Sequence, residues 1–126
     1  MHVINIKPLK AYTDNYIWLL ETNEEVSVVD PGDAKPVLDY LSKTNKNIRD
    51  IFITHHHFDH TAGVPELENI ISGSIYGPKN SYELINEKVT QGDTLSSLGI
   101  KFEVIEVPGH TLDHIAFYNE ENNILF

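Results

Sequence analysis

Residues 51–63 read "IFITHHHFDHTAG", a short apolar run followed by a dense polar cluster. Four histidines and one aspartate fall within positions 55–60. The apolar run over 48–54 predicts a buried strand, and a loop at the end of a strand is a common place for ligands and metals. Isolated histidines are mostly structural, but five potential ligands in six positions favour a metal site over a solvated turn. The cluster is internal and interrupted, which excludes an affinity tag.

The spacing within this cluster predicts which side chains share an ion. His55 and His57 lie two apart, and in extended backbone such residues point to the same face, so both imidazoles can reach one metal. His56 then points away and is predicted not to be a ligand. Asp59 and His60 follow where the chain turns, and they can face a second point. Paired metals in hydrolases lie ~3.5–4 Å apart, which fits such an arrangement.

A second polar point occurs in "VPGHTLDHIAF", after another predicted strand. His110 lies just past the strand end, and a third imidazole there would complete a three-nitrogen site that keeps one position open for water. His114, four residues on, is predicted to be either an ordinary strand residue or a hydrogen-bond partner of the site. His2 carries no signal.

The remainder of the chain predicts a mixed α/β layered domain. Residues 34–44 predict a helix with Val37, Leu38 and Leu41 on one face and Asp33 as its cap, and residues 61–70 predict a brief helical stretch. Residues 80–89 are ambiguous between a helical turn and a loop. Strands are predicted for "HVINIKPL", "NYIWLLET", "EVSVVDPG", "IRDIFIT", "SIYGP" and "GIKFEVIEVPG", and "HIAFYNEENNILF" predicts a hairpin. In "GIKFEVIEVPG" we expect Phe102, Val104 and Ile105 to be buried.

Composition narrows the function classes. The 126 residues fit one domain, and the absence of cysteine excludes thiol catalysis and cysteine-ligated zinc. A net charge of −10, without a cluster of Lys or Arg, argues against a nucleic-acid partner. No run approaches the ~20 apolar residues of a membrane helix, and the start of the chain does not resemble a signal peptide. We therefore expect a cytoplasmic protein without a membrane partner.

Three motifs together resemble the metallo-β-lactamase superfamily. "THHHFDHTAG" is similar to its H-x-H-x-D-H signature, "VVDPGDA" to the strand and turn upstream, and "VPGHTLDHIAFY" to the loop of the third histidine. Within the superfamily, "YTDNYIWLL" and the "PGHTxxH" run look most like glyoxalase II, the hydroxyacylglutathione hydrolases. The resemblance extends over residues 1–126, as the amino-terminal portion of that family. Asp113 departs from it, because the family usually has glycine there.

The resemblance implies an αββα sandwich with a binuclear metal site. His55, His57 and His110 would hold the first ion, and Asp59 and His60 would begin the second. Asp59 would also help to orient the nucleophile. The expected metal is Zn²⁺, with Fe or Mn as alternatives. A bridging aspartate, a further histidine and a carboxy-terminal glutathione-binding helical domain belong to the intact family, and the resemblance places all three beyond residue 126.

For the intact family, the resemblance implies hydrolysis of glutathione thioesters such as S-D-lactoylglutathione, by metal-bound hydroxide, in methylglyoxal detoxification. For this chain we expect one bound ion, weak or no activity, and self-association through an exposed apolar face. Two alternatives stay open. One is another enzyme of the superfamily, such as a lactonase or an iron-dependent sulfur dioxygenase. The other is a metal-binding remnant without catalytic activity.

Overall fold

The first two thirds of the chain form a six-stranded mixed sheet with strand order β1-β2-β3-β4-β5-β6. The computed structural model describes residues 5–11, 15–55, 58–79, 82–107 and 114–126, without the side chains of residues 11, 15, 58 and 59. Strands β1 to β3 are antiparallel, and β3 to β6 run parallel. The strands are β1 Asn5–Ala11, β2 Asn15–Glu21, β3 Glu25–Val29, β4 Asn47–Phe52, β5 Ile75–Pro78 and β6 Glu87–Val89.

Helix α1, Ala34–Thr44, connects the parallel strands β3 and β4. The predicted cap is confirmed, because the Asp33 carboxylate accepts a hydrogen bond from the backbone N–H of Lys35 at 3.1 Å. Val37 is buried and Leu41 packs against the same core. The prediction for Leu38 is wrong. It is 37% exposed, because the buried stripe follows the i, i+4 spacing and turns the adjacent position toward solvent.

The second sheet is antiparallel, with strand order β10-β9-β8-β7. Strand β8 alternates between buried and exposed residues, so Phe102 and Val104 are buried as predicted, whereas Ile105 is half-buried on the other face. The predicted hairpin is confirmed as β9 and β10. Strands β6 and β7 were not predicted, since both are short and polar. The strands are β7 Thr94–Ser97, β8 Ile100–Glu106, β9 Ile115–Asn119 and β10 Ile124–Leu125.

The elements stack as a helical layer, the mixed sheet and the antiparallel sheet. Two helices, α2 Phe58–Thr61 and α3 Val64–Leu67, follow β4, and a short 3-10 helix covers Glu68–Ile70. One core lies between helices α1 and α3 and the first sheet. The other lies between the sheets, where the Phe52 ring contacts those of Phe102 and Phe117 at centroid distances of 5.5 and 5.0 Å. The α/β layered class is confirmed, and the described residues supply three layers of the αββα arrangement.

A buried polar chain joins the two sheets. The Ser97 hydroxyl on β7 donates to Asp50 Oδ2 on β4 at 2.6 Å, so the Ser27 hydroxyl on β3, also 2.6 Å from Ser97 Oγ, is the donor to Ser97. The backbone N–H of Ser74 satisfies the second oxygen of Asp50 at 2.8 Å. Because both oxygens of the buried Asp50 accept a hydrogen bond, the network fixes the position of the two sheets without leaving an unsatisfied buried acceptor.

Two sequence-based expectations about surfaces bear on this fold. Within the described residues, no helix is both long and apolar enough to cross a lipid bilayer. In the same described part of the chain, the outer face of the second sheet exposes polar side chains, among them Thr94, Ser96, Lys101 and Glu103. Self-association through an apolar face stays a prediction.

Glu21, at the end of β2, is a buried carboxylate that holds α1 and the start of β4 to the sheet. It is 2% exposed and accepts hydrogen bonds from Tyr40 at 2.5 Å and Lys46 at 2.9 Å. Burial by itself raises the pKa of Glu21, but the hydrogen bonds from Tyr40 and the Lys46 ammonium outweigh it, so this pKa lies below its ordinary value. The carboxylate therefore stabilises the folded chain in its ionised form.

We expect Glu21→Gln to lower the free energy of unfolding at pH 7 by ~1–3 kcal/mol, because Lys46 loses its buried partner. The folded-state pKa is depressed, so the stabilisation is present above the unfolded pKa of ~4.3 and is lost as the pH falls through the folded value. Urea unfolding at pH 7 and below pH 4 measures this. The control Glu24→Gln changes an exposed carboxylate. A Glu21→Gln deficit that is the same at both pH values would contradict the assignment.

Candidate metal centre

Two parallel strand ends build the base of the candidate site. Strand β3 ends at Val29 and β4 ends at Phe52, and parallel neighbours place their carboxyl ends at the same edge of a sheet. Asp30 follows β3 with a positive φ of 49°, a conformation that is uncommon outside glycine. Its N–H donates to the carbonyl of Phe52 at 2.8 Å. This geometry places the Asp30 carboxylate beside the residues that follow β4.

The Asp30 carboxylate binds Thr54 twice. The Thr54 backbone N–H donates to Oδ1 at 2.8 Å, and its hydroxyl donates to Oδ2 at 2.6 Å. Because the single hydroxyl proton goes to the carboxylate, the Thr54 oxygen must accept from Nδ1 of His55, which is 2.9 Å away. A neutral His55 ring therefore carries its proton on Nδ1 and its lone pair on Nε2, the form that suits a metal ligand.

His60, in helix α2, is oriented by the same carboxylate. Its Nδ1 lies 3.2 Å from Asp30 Oδ2, and a carboxylate can only accept, so this nitrogen carries the proton. The rings of His55 and His60 are 4.2 Å apart between centroids. Ligand atoms of Asp30, His55 and His60 all lie within 4.8 Å of one another. Carboxylate–histidine pairs of this kind orient the ring and raise the basicity of the metal-binding nitrogen.

The second sheet reaches this site through the residues at the start of β9. The N–H of Ile115 donates to the carbonyl of Thr54 at 2.9 Å. The ring of His114 lies 4.6 Å from that of His55 between centroids. His114 is therefore adjacent to the site, in the place that a hydrogen-bonding or ring-packing partner of His55 would occupy.

The structure thus brings together three of the histidines that the sequence singled out. His55, His60 and His114 meet at one edge of the sandwich. His56, His57 and His110 lie outside the described residues, as does the side chain of Asp59, whose backbone belongs to α2. The division of ligands between two ions, and the exclusion of His56, stay predictions.

Sequence reasoning missed two residues that organise the site, Asp30 and Thr54. Both are buried, with exposed fractions of 9% and 5%. Their contact joins positions 24 apart in the chain, and no local spacing indicates it. The available signal was a charged residue directly after the apolar strand "VSVV", at a position where burial demands a partner.

A close backbone contact fixes helix α2 against the Asp30 turn. The N–H of Gly63 donates to the carbonyl of Pro31 at 2.8 Å. A Cβ at position 63 would lie 2.6 Å from both the Pro31 oxygen and the Ala34 nitrogen. Only glycine allows this approach, which holds the chain against the Asp30 turn three residues after His60.

A family model described as the metallo-beta-lactamase superfamily matches residues 13–126. The chain belongs to this superfamily. Membership implies metal binding, and the group of Asp30, His55 and His60 is a candidate centre for it. The donor set also fits, because two imidazoles with their Nδ1 protons engaged are suited to bind a transition metal through Nε2.

Sequence relatives indicate which enzymes of the superfamily this chain is most similar to. The chain is 47% identical over 126 residues to a hydroxyacylglutathione hydrolase of Pseudoalteromonas translucida, with 94% of this chain and 48% of the relative covered. It is 44% identical over 118 residues to one of Idiomarina loihiensis, with 91% and 47% covered. The chain therefore spans about half the length of these relatives.

Solved structures confirm the fold. BLEG-1, a B3 metallo-beta-lactamase, superimposes with a TM-score of 0.84 at 20% identity, with 97% of this chain and 70% of BLEG-1 covered. ETHE1 from Myxococcus xanthus gives a TM-score of 0.74 at 24% identity, with 93% and 53% covered. At such identities the likeness shows the fold alone.

We expect Thr54→Val to weaken Zn²⁺ affinity by ~10–100-fold, the range for loss of an outer hydrogen bond at a metal site. Valine has nearly the shape of threonine but can neither accept from His55 nor donate to Asp30. Thr54→Ser keeps the hydroxyl and should stay close to the wild-type affinity. Competition with a chromogenic chelator measures both variants. Equal affinities for the serine and valine variants would contradict the role of the hydroxyl.

Gly63→Ala should weaken both folding and metal binding. The new methyl meets two backbone atoms, so we expect the free energy of unfolding to fall by ~1–3 kcal/mol and the Zn²⁺ affinity to fall because His60 moves. Gly92→Ala is the contrast. Its Cβ meets nothing within 4 Å, but its φ is +89°, so it should cost ~1–2 kcal/mol of stability with metal affinity retained. Unchanged metal affinity in Gly63→Ala would show that the contact does not position His60.

Proposed function

We propose that this chain is the metal-binding part of a metal-dependent thioester hydrolase of the glyoxalase II type. Its substrates would be hydroxyacylglutathione thioesters such as S-D-lactoylglutathione, which yield glutathione and a 2-hydroxy acid. The observation that carries the proposal is the pair of imidazoles, His55 and His60, whose Nδ1 atoms lie against Thr54 and Asp30. The relatives that share 47% and 44% identity, both named hydroxyacylglutathione hydrolase, supply the substrate class.

The proposal assigns a role to each of the three residues at the candidate centre. His55 and His60 would present Nε2 to the metal. Asp30 would act as their support, because its two oxygens accept hydrogen bonds from Thr54 and one of them also lies against Nδ1 of His60. A bound divalent cation would lower the pKa of a coordinated water and polarise the thioester carbonyl.

The rest of the ligand set rests on the sequence motif. His57 and His110 would complete the first site with His55. Asp59 would join His60 in the second site and help to orient the attacking water. Because the motif supplies only Asp59 and His60 for the second site, we propose that this chain binds about one ion tightly and has little or no thioesterase activity by itself. Zn²⁺ is the proposed metal, with Fe or Mn as alternatives, and the cytoplasm is the proposed location.

Substitution of adjacent histidines tests the proposal directly. His57→Ala should reduce bound Zn²⁺ from about one ion per chain to well below one, whereas His56→Ala, its neighbour and matched control, should retain it. Elemental analysis after gel filtration measures both. Equal loss in the two variants, or none in either, would contradict the alternation of ligands along 55–57. Two tightly held ions per wild-type chain would contradict the proposed half-complete second site.

The same preparation separates the proposal from its alternatives. Iron as the native metal, together with persulfide oxidation, would favour the sulfur dioxygenase. Thioester cleavage that is abolished by chelation and restored by Zn²⁺ would favour the hydrolase. A metal-loaded chain that neither cleaves thioesters nor binds a non-hydrolysable glutathione conjugate would favour a metal-binding role without catalytic activity.

A further inference from the structure

An open cleft of about 550 Å³ lies beside the candidate metal centre. One end is polar and contains Asp30, Thr54, His55, His60 and His114. The other residues are mostly apolar and come from both sheets, among them Ile6, Tyr16, Trp18 and Val29 from the first and Leu125 from the second. The volume falls within the ~300–1,000 Å³ of ordinary small-molecule sites.

The wall of this cleft concentrates exposed apolar surface. In the part of the chain that the structure describes, seven large hydrophobic side chains are exposed, and four of them line the cleft. These four are Ile6, Tyr16, Trp18 and Leu125, with exposed fractions of 40, 55, 40 and 65%. Scattered exposed apolar residues need no explanation, whereas a contiguous group at a polar site marks a binding surface.

Strand geometry explains why the aromatic rings face the cleft. Leu20 of β2 is buried between the sheets, and Trp18 and Tyr16 lie two and four residues earlier, so they leave the sheet on the same face. Trp18 pairs with Val29, the residue before Asp30. The two rings lie 6.4 Å apart between centroids. The aromatic wall therefore continues the inner face of the first sheet toward the histidines.

A positive charge lies on the same face as this wall. Lys10 of β1 is the cross-strand partner of Tyr16 and is exposed, and directly paired residues project on the same side of a sheet. The chain as a whole carries a net charge of −10. A lysine on the same face as the aromatic wall therefore supplies a positive charge that favours an anionic ligand.

We propose that the cleft binds the apolar, sulfur-bound chain of an anionic glutathione conjugate, with Tyr16 and Trp18 as the wall that determines specificity. This inference rests on the proposed function, because it places the acyl part of the thioester between the aromatic wall and the histidines. Lys10 faces a carboxylate of the glutathione part. This placement of the acyl chain predicts a preference for longer apolar acyl chains, since each buried methylene adds apolar contact with Tyr16 and Trp18.

Trp18 is the sole tryptophan of the chain, so its fluorescence reports directly on the cleft. The probes are S-methylglutathione and S-hexylglutathione, thioethers that cannot be hydrolysed. We expect S-hexylglutathione to shift Trp18 emission to shorter wavelength and to bind more tightly than the methyl conjugate. Full burial of one methylene corresponds to a gain in affinity of about fourfold, and a partly open cleft should give a smaller gain. The wild-type chain loaded with Zn²⁺ is the reference.

Matched variants test the two parts of the cleft. Tyr16→Ala should weaken S-hexylglutathione by tenfold or more and S-methylglutathione much less, while Ile70→Ala, an exposed apolar residue elsewhere, should change neither. Lys10→Ala should weaken both probes in a salt-dependent way, and Lys43→Ala, an exposed lysine on α1, should not. Bound Zn²⁺ should be unchanged in all four variants, which separates loss of the wall from loss of the fold.

The outcomes separate this inference from the proposed function. An affinity that does not depend on alkyl length, or a Tyr16→Ala variant that binds like wild type, would overturn the inference even if the protein hydrolyses thioesters. Length-dependent binding by a chain that retains no Zn²⁺ would support the inference and contradict the proposed function. A Trp18 emission shift that appears with rising protein concentration and no probe would place a second copy of the chain in the cleft and overturn the inference.

Discussion

The candidate site depends on one carboxylate, that of Asp30. It accepts hydrogen bonds from the backbone and hydroxyl of Thr54 and lies against the ring of His60. Through Thr54 it also determines which nitrogen of His55 is protonated. A buried carboxylate is costly unless every oxygen is satisfied, and here the groups that satisfy it are those that orient the imidazoles. The same few hydrogen bonds therefore stabilise the folded chain and orient the metal-binding nitrogens.

The layers around this carboxylate keep its partners in place. Helix α2 is held to the Asp30 turn where Gly63 meets the backbone of Pro31. At the sheet interface, the chain of Ser27, Ser97 and Asp50 sets the position of the second sheet. Since polar contacts are directional and apolar contacts are not, these few hydrogen bonds define the alignment, and the surrounding core supplies most of the free energy.

The sequence predicted the local features well and the long-range ones poorly. Helix α1 has the predicted bounds because Asp33 caps it and its apolar spacing is regular. The hairpin of β9 and β10 followed from two apolar arms around a polar turn. The strand β7 escaped prediction because "TLSS" has little of the β-branched, apolar character of a strand. Asp30 and Thr54 escaped because their contact spans two parallel strands and has no sequence period.

The hydrogen bond between the Ile115 N–H and the Thr54 carbonyl has a mechanical consequence. It connects the sheet that carries His55 with the sheet that carries His114. The distance between these two sides of the site is therefore set by how the two sheets lie against each other. An ion bound by side chains from both sheets would crosslink them. Sliding one sheet over the other would then require breaking bonds between that ion and its ligands.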